Sequence, residues 1–197
     1  MPAAPHSSID VLLIEDQSQQ HLPARTLAAV LQRAGLRAQL AHFDQDIGAV
    51  VALAQRAQPR LIVFSILFAD RVSEHLALVT ALRESGVRAH VTMVGPLPTF
   101  ASAELLGACP ALDSVLRGEA EASVAQLASS LCHSEARRAE ESLPRGQEVI
   151  SPLLSRRRRG EGPKPLNLDD LPFPLRDDGV PNYLGYGFAT VEASRGC

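Results

Sequence analysis

One run limits the folds open to this chain more than any other: Arg60-Leu-Ile-Val-Phe-Ser-Ile-Leu-Phe-Ala-Asp70. Between its charged ends it is apolar throughout, except for the hydroxyl of Ser65. A strand with one wet face alternates polar and apolar residues. A run with no polar face predicts a strand covered on both sides, over Leu61–Leu67, at the centre of a parallel sheet. Open sheets of this kind bind ligands beyond the carboxyl ends of their strands. Ser65 falls near that end, and whatever binds there must suit it.

The flanking segments supply the rest of such a sheet. Ile9–Ile14 reads as a first strand, followed by the polar loop Glu15–His21. Pro23 can open a helix whose inner face carries Leu27, Val30 and Leu31 and which Gly35 ends. Leu36–Phe43 is a second strand. Asp46 is placed to cap a helix with Ile47, Val50, Val51 and Ala54 facing inward, and Pro59 stops it. After the central strand, Ser73 opens a helix with Leu76, Val79, Ala81 and Leu82 inward and Gly86 at its end. Arg88–Val94 is the fourth strand, and Thr99 or Ser102 caps a short helix bearing Leu105 and Leu106. Ser114–Leu116 is a fifth strand, and a last helix carries Val124, Leu127 and Leu131. This alternation predicts an α/β, flavodoxin/Rossmann-like fold over residues 9–133: a five-stranded parallel sheet, order 2-1-3-4-5, flanked by helices. Its ligand crevice lies between the first and third strands.

Beyond this unit the composition changes. Residues 134–186 hold a charged stretch, the arginine run 156–159 and several prolines. They read as an extended linker, with a short hairpin around Gly146 and an extended Leu168–Pro174. Residues 187–194 alternate as a strand and lead into Arg195-Gly-Cys197, while residues 1–8 are expected to be disordered. Charged residues make up 21% of the chain and the net charge is −3, so no electrostatic case exists for a nucleic-acid partner. No apolar run is long enough to span a bilayer, and the amino terminus lacks the pattern of a signal peptide. Three scattered cysteines do not form a disulfide framework, so a reducing, cytoplasmic setting is the expectation.

Several chemistries of this architecture do not fit. Glu15 and Asp16 after the first strand suggest a phospho-receiver, but the place of the phosphate-accepting carboxylate holds Ser65. The place of the required lysine holds Arg117, and Lys164 is the only lysine in the chain. A dinucleotide site needs a glycine-rich turn after a strand, and the loop after Ile14 has no glycine. A flavin phosphate loop would need several small hydroxyl residues there, and Ser18 stands alone.

The strand-end residues do resemble those of the cobalamin (B12)-binding domains. That family carries Asp-x-His-x-x-Gly after the first strand, Ser-x-Leu after the third and Gly-Gly after the fourth. Here Ser65-Ile-Leu67 matches the second motif, and Val94-Gly95 keeps one glycine of the third at the family's spacing. The family spacing puts the first motif on Ser18-Gln-Gln20-His-Leu-Pro23, where Ser18, Gln20 and Pro23 replace the aspartate, histidine and glycine. His21 is one residue out of register. The resemblance therefore implies a corrinoid with no protein histidine on its lower face. It implies that Ser65 hydrogen-bonds the dimethylbenzimidazole nitrogen of the nucleotide tail, and that a small residue at Gly95 lets the tail pass.

Three longer segments, Val91–Phe100, Leu112–Glu121 and Asp170–Pro174, resemble the cobalamin-dependent radical S-adenosylmethionine (SAM) enzymes. Their fourth-strand loop reads Gly-Gly-His-x-Pro-Thr and their fifth reads Arg-Gly-Glu-Gly-Glu; Val94, Pro96 and Ala120 depart from this pattern. Ala193-Ser-Arg-Gly-Cys197 is similar to the entry of that family's Cys-x-x-x-Cys-x-x-Cys loop. The resemblance implies cofactor contacts at Gln17, Ser18, Ser65, Leu67, Gly95, Pro96, Pro98, Thr99, Arg117, Gly118, Glu119 and Glu121. It implies that Cys197 is the first ligand of a [4Fe–4S] cluster that binds SAM in a full-length parent. Residues 187–197 would then begin the radical SAM domain, and the missing barrel would be the partner of this chain, in cis or in trans. Cys109 and Cys132 read as buried structural thiols rather than cluster ligands. The chain alone is not expected to cleave SAM, and no catalytic residue is assigned to it. The implied function is cobalamin binding as the amino-terminal part of a methyltransferase-type enzyme, truncated at Cys197. Loss of the first motif leaves a second reading, a degenerate, ligand-free flavodoxin-like interaction module.

Overall fold

The computed structural model describes residues 9–16, 22–44, 46–67, 69–134, 147–150, 170–174, 182–183 and 186–187. The expectations for residues 1–8, Gln17, Ser18, His21, the arginine run, the strand beyond Gly187 and Cys197 fall outside them.

The parallel strands are β1 (Val11–Asp16), β2 (Ala38–Phe43), β3 (Leu61–Ser65), β4 (His90–Val94), β5 (Ser114–Arg117) and β6 (Gln147–Ile150). The helices are α1 (Leu22–Arg33), α2 (Ile47–Ala57), α3 (Val72–Glu84), α4 (Pro96–Phe100), α5 (Ser102–Ala108) and α6 (Ala120–Ser134). The sheet order is β2-β1-β3-β4-β5-β6. The predicted order 2-1-3-4-5 is present, and one further strand lies on the edge of β5. That strand comes from the segment read as a linker. Residues 147–150 pair in parallel with β5, Ser114 opposite Gln147 and Arg117 opposite Ile150; Gly146, where a short hairpin is expected, lies outside the described residues. A true two-stranded hairpin forms later, between β7 (Asn182–Tyr183) and β8 (Tyr186–Gly187).

All five residues of β3 are buried, as a strand with no polar face requires. Side chains alternate across the sheet. Ile62 and Phe64 join Leu12, Ile14 and Met93 in a core closed by Val50 of α2, Leu78 and Leu82 of α3 and Leu105 of α5. Leu61 and Val63 join Val11, Leu13, Val94 and Leu116 in a second core closed by Leu27, Ala28 and Leu31 of α1 and Val124 and Ala128 of α6. The handed crossovers of a doubly wound sheet produce these two layers. They place the point where strand order reverses between β1 and β3.

Helix starts follow the sequence in some places and not in others. Asp46 caps α2, its Oδ1 accepting the Ala49 N–H at 3.0 Å. The helix ends at Gln58, which takes a left-handed conformation just before Pro59. Ser73 does not cap α3. That helix begins one residue earlier, after Arg71, with no side-chain cap. Its buried residues are His75, Leu78, Val79 and Leu82; Leu76 is half-buried and packs against the same core, as expected, and Ala81 is half-buried. His75 is held between the rings of Phe43 and Phe64, at centroid distances of 5.3 and 6.0 Å, and its Nδ1 lies 2.8 Å from the Arg71 carbonyl oxygen. Cys109 is buried as expected, whereas Cys132 is only half-buried. The described segment 170–174 meets the end of α1, where Arg33 Nη1 donates to the Asp170 carbonyl at 2.9 Å.

Candidate functional site at the carboxyl edge of the sheet

The carboxyl ends of β1, β3, β4 and β5 bring together most of the residues named from the sequence. Register sets Ser65 opposite Val94, which places Ser65 next to the turn at Gly95. The β1–β3 ladder pairs Ile14 with Phe64, so Glu15 follows on the β1 side of Ser65. Alternation from Leu61 and Val63 turns the Ser65 side chain toward the layer of α1 and α6. Ser65 is only 4% exposed. Its hydroxyl makes no hydrogen bond to any described residue. A buried hydroxyl ordinarily finds a partner inside the protein. One left open at the crevice of a doubly wound sheet suits a ligand that brings its own acceptor. A benzimidazole nitrogen entering beside β3 meets that requirement, so the residues present fit the tail of cobalamin.

The backbone itself requires glycine at position 95. Its φ of 117° and ψ of −175° belong to a region that only glycine adopts readily. A Cβ built there would lie 2.3 Å from the carbonyl oxygen of Ile66. The close approach is thus between β4 and the continuation of β3, where Ile66 N–H also donates to the Val94 carbonyl at 2.9 Å. Gly95 sets the position of Ser65-Ile-Leu67 rather than simply clearing a path for a ligand. Leu67 is half-buried just past the strand end.

Thr99 is neither cap nor loop. It lies within α4, and its hydroxyl donates to the Gly95 carbonyl at 2.8 Å while accepting the Gly118 N–H at 3.0 Å. Arg117 Nε donates to the Thr99 carbonyl at 3.0 Å. Thr99 therefore ties the loop after β4 to the loop after β5. Ser102 makes no cap either: α5 follows Ala101 without a side-chain cap. Pro98 is buried and Pro96 exposed at the rim; Glu119 is half-buried and Glu121 buried in the turn that starts α6. Gln17, Ser18 and Cys197 lie outside the described residues, so only part of the expected set is brought together. Among the described residues no group of three or more His, Cys, Asp or Glu is placed to hold a metal ion. No helix among them is long and apolar enough to cross a membrane.

Three side chains at this edge were not singled out as site residues. Glu15 is 1% exposed, and its Oε1 lies 3.4 Å from Arg25 Nη2 and 3.0 Å from His42 Nδ1. Arg25 itself is 3% exposed. Glu15 was visible in the sequence as half of an acidic pair, but its partners come from α1 and β2. Only the pairing of β1 with β2, Glu15 opposite His42, brings them together.

Comparison with known proteins agrees with this fold. A relative from Pyrococcus horikoshii, named as an uncharacterized methyltransferase, is 29% identical over 171 residues. That match takes in 79% of this chain, and the chain spans 30% of the length of the relative. A GDP-L-fucose synthetase from Naegleria fowleri has a TM-score of 0.32 at 13% identity, covering 72% of this chain and 49% of that one, a level that bears on neither fold nor function. The model of the B12 binding domain matches residues 16–128, more than half of the 197. With the doubly wound sheet and its strand-end serine, this chain belongs to the B12-binding domain family.

Proposed function

We propose that the chain binds cobalamin at the carboxyl edge of β1, β3 and β4, as the amino-terminal part of a cobalamin-dependent radical SAM enzyme of the methyltransferase type. The observation that carries the binding site is Ser65, a residue only 4% exposed at the strand-order reversal whose hydroxyl bonds to no described residue. In this reading Ser65 donates to the dimethylbenzimidazole nitrogen, and Leu67 lines the slot beside it. Gly95 holds the two strands close enough to form its floor. Pro96, Pro98, Thr99, Arg117, Gly118, Glu119 and Glu121 form the rim on the β4–β5 side, with Gln17 and Ser18 on the loop after β1. Gln20 stands where the family has its histidine, so the chain would offer no imidazole to a corrinoid from that position. When bound, cobalamin supplies a cobalt centre able to carry a methyl group. The residues of this chain hold and orient it and shield its tail from water.

The radical SAM part of the proposal is supported by the likeness of Val91–Phe100, Leu112–Glu121 and Ala193–Cys197 to that family. The methyltransferase name of the P. horikoshii relative supports the reaction class. Cys197 is then the first thiolate of a cluster loop, which calls for a reducing, cytoplasmic setting. Mixing the purified chain with hydroxocobalamin, desalting and recording the visible spectrum tests the binding. Retained corrinoid absorbance is expected, and a colourless protein fraction would sink the reading. Ser65→Trp should abolish retention with unchanged circular dichroism. Coding DNA running past Cys197 into two more cysteines at the family's spacing is the result expected for the parentage. An open reading frame without them would remove it.

A further inference from the structure

Among the described residues only one arginine is fully buried: Arg25, in the first turn of α1. Its Nη2 lies 3.4 Å from Glu15 Oε1, and His42 Nδ1 reaches the same oxygen from the other side at 3.0 Å. Glu15 follows Val11 and Leu13 on the strand face that packs against α1 and α6, and Ser65 follows Leu61 and Val63 on the same face. Strand register sets the two side by side at the crevice. Burying an ion pair removes two charges from water, and an apolar pair of equal volume serves packing as well or better. Packing of α1 on β1 therefore gives no reason for a charge pair here. An anionic ligand does. The tail that would reach Ser65 carries one negative charge, on the phosphodiester that links its nucleotide to the corrin ring.

We propose that Arg25 is the phosphodiester anchor of the slot. Its guanidinium has five donors in a planar fork, enough to keep Glu15 while also bonding a phosphate oxygen. Glu15, held by His42, fixes the fork in place, so Glu15 is a positioning residue and Arg25 the contact. This rests on the reading that the slot takes a corrinoid tail, and the test separates the two. Dissociation constants are measured by absorbance titration for cobalamin and for cobinamide, which keeps the corrin ring but lacks the nucleotide and its phosphodiester. Arg25→Met leaves the Glu15 carboxylate buried without its cation, so the double variant Glu15→Gln, Arg25→Met is made beside it and checked by circular dichroism. The folded double variant should bind cobalamin about ten- to a hundredfold more weakly, the range for a charged hydrogen bond, with cobinamide unchanged. An equal loss for both corrinoids, or no loss for either, would overturn the anchor while leaving the corrinoid reading standing. A wild-type chain that binds neither corrinoid overturns both.

Discussion

The two ends of the sheet bury polar groups in opposite ways. At the amino-terminal end of β4 and β5, the polar side chains bond to one another and to the backbone. His90 Nε2 lies 2.8 Å from Ser114 Oγ, which donates to Thr92 Oγ1 at 3.0 Å, and Thr92 returns a bond to the Ser114 carbonyl at 3.2 Å. Asp113 accepts the Val91 N–H at 2.8 Å and pairs with Arg83, which also donates to the carbonyls of Ala111, Val87 and Ala89. At the carboxyl end, Ser65 is as deeply buried as Ser114 in all but a few per cent, yet its hydroxyl bonds to no described residue. A closed network stabilises strand pairing and has nothing left for a ligand. An open hydroxyl contributes little to the fold and much to recognition. The difference lies in where the bonds go: the amino-terminal polar groups spend theirs on one another, whereas Ser65 at the carboxyl edge spends none on a described residue.

The largest effect should come from the carboxyl end, through backbone rather than side chain. Gly95→Ala places a methyl against the Ile66 carbonyl in a conformation that alanine resists. A loss of about 3–5 kcal/mol is expected, from strain and overpacking together. Urea unfolding monitored by circular dichroism measures it, and a loss within error of zero would break the assignment of Gly95 as the residue that sets strand spacing. A smaller effect should follow Asp113→Ala at the opposite end. It takes the acceptor from the Val91 N–H and the counter-charge from Arg83, for a loss of about 3 kcal/mol. Retention of corrinoid by the still-folded Asp113 variant should equal wild type. Altered corrinoid affinity would show that the two ends are not independent, and the contrast would fail.

The parallel sheet was legible because its signal is local. Unbroken apolar runs and regular βα alternation specify buried strands and crossovers, and Ser65 stood out as the one hydroxyl in the central run. Asp46 was legible for the same reason, since a cap needs only residues three apart. What was hidden depends on partners far off in the chain. Gln147–Ile150 is short and half polar, and only the edge offered by β5 makes it a strand. Thr99 and Ser73 carry the chemistry of caps, but Thr99 was drawn into the tie between Gly95 and Gly118, and α3 started without Ser73. The Glu15–Arg25–His42 cluster joins three elements, and no spacing in the sequence announces it. His75 on α3 carries no sequence signal of its own; its burial between the rings of Phe43 and Phe64 depends on β2 and β3.

The smallest effect is a dependence on pH, and its sign follows from burial. His90 is held below the ordinary histidine value of 6.5, first by burial and also by the charge of Arg83, against an opposing pull from Asp113. The folded protein therefore binds a proton at His90 less readily than the unfolded chain does. Its contribution to stability is fully present above pH 6.5 and is lost as pH falls through the lowered folded value. Physically, protonation places a cation next to Arg83 and puts an N–H on both ring nitrogens. With the Ser114 Oγ proton given to Thr92 Oγ1, Nε2 already donates to Ser114, and the added proton falls on Nδ1. Urea midpoints measured from pH 7.5 downward should drop more steeply for the wild-type chain than for His90→Gln, which cannot titrate, with a difference of about 1 kcal/mol or less. Parallel curves would show that His90 takes up its proton as readily in the folded protein as in the unfolded chain. The amino-terminal network would then be pH-indifferent, leaving the open carboxyl edge as the end that responds to its surroundings.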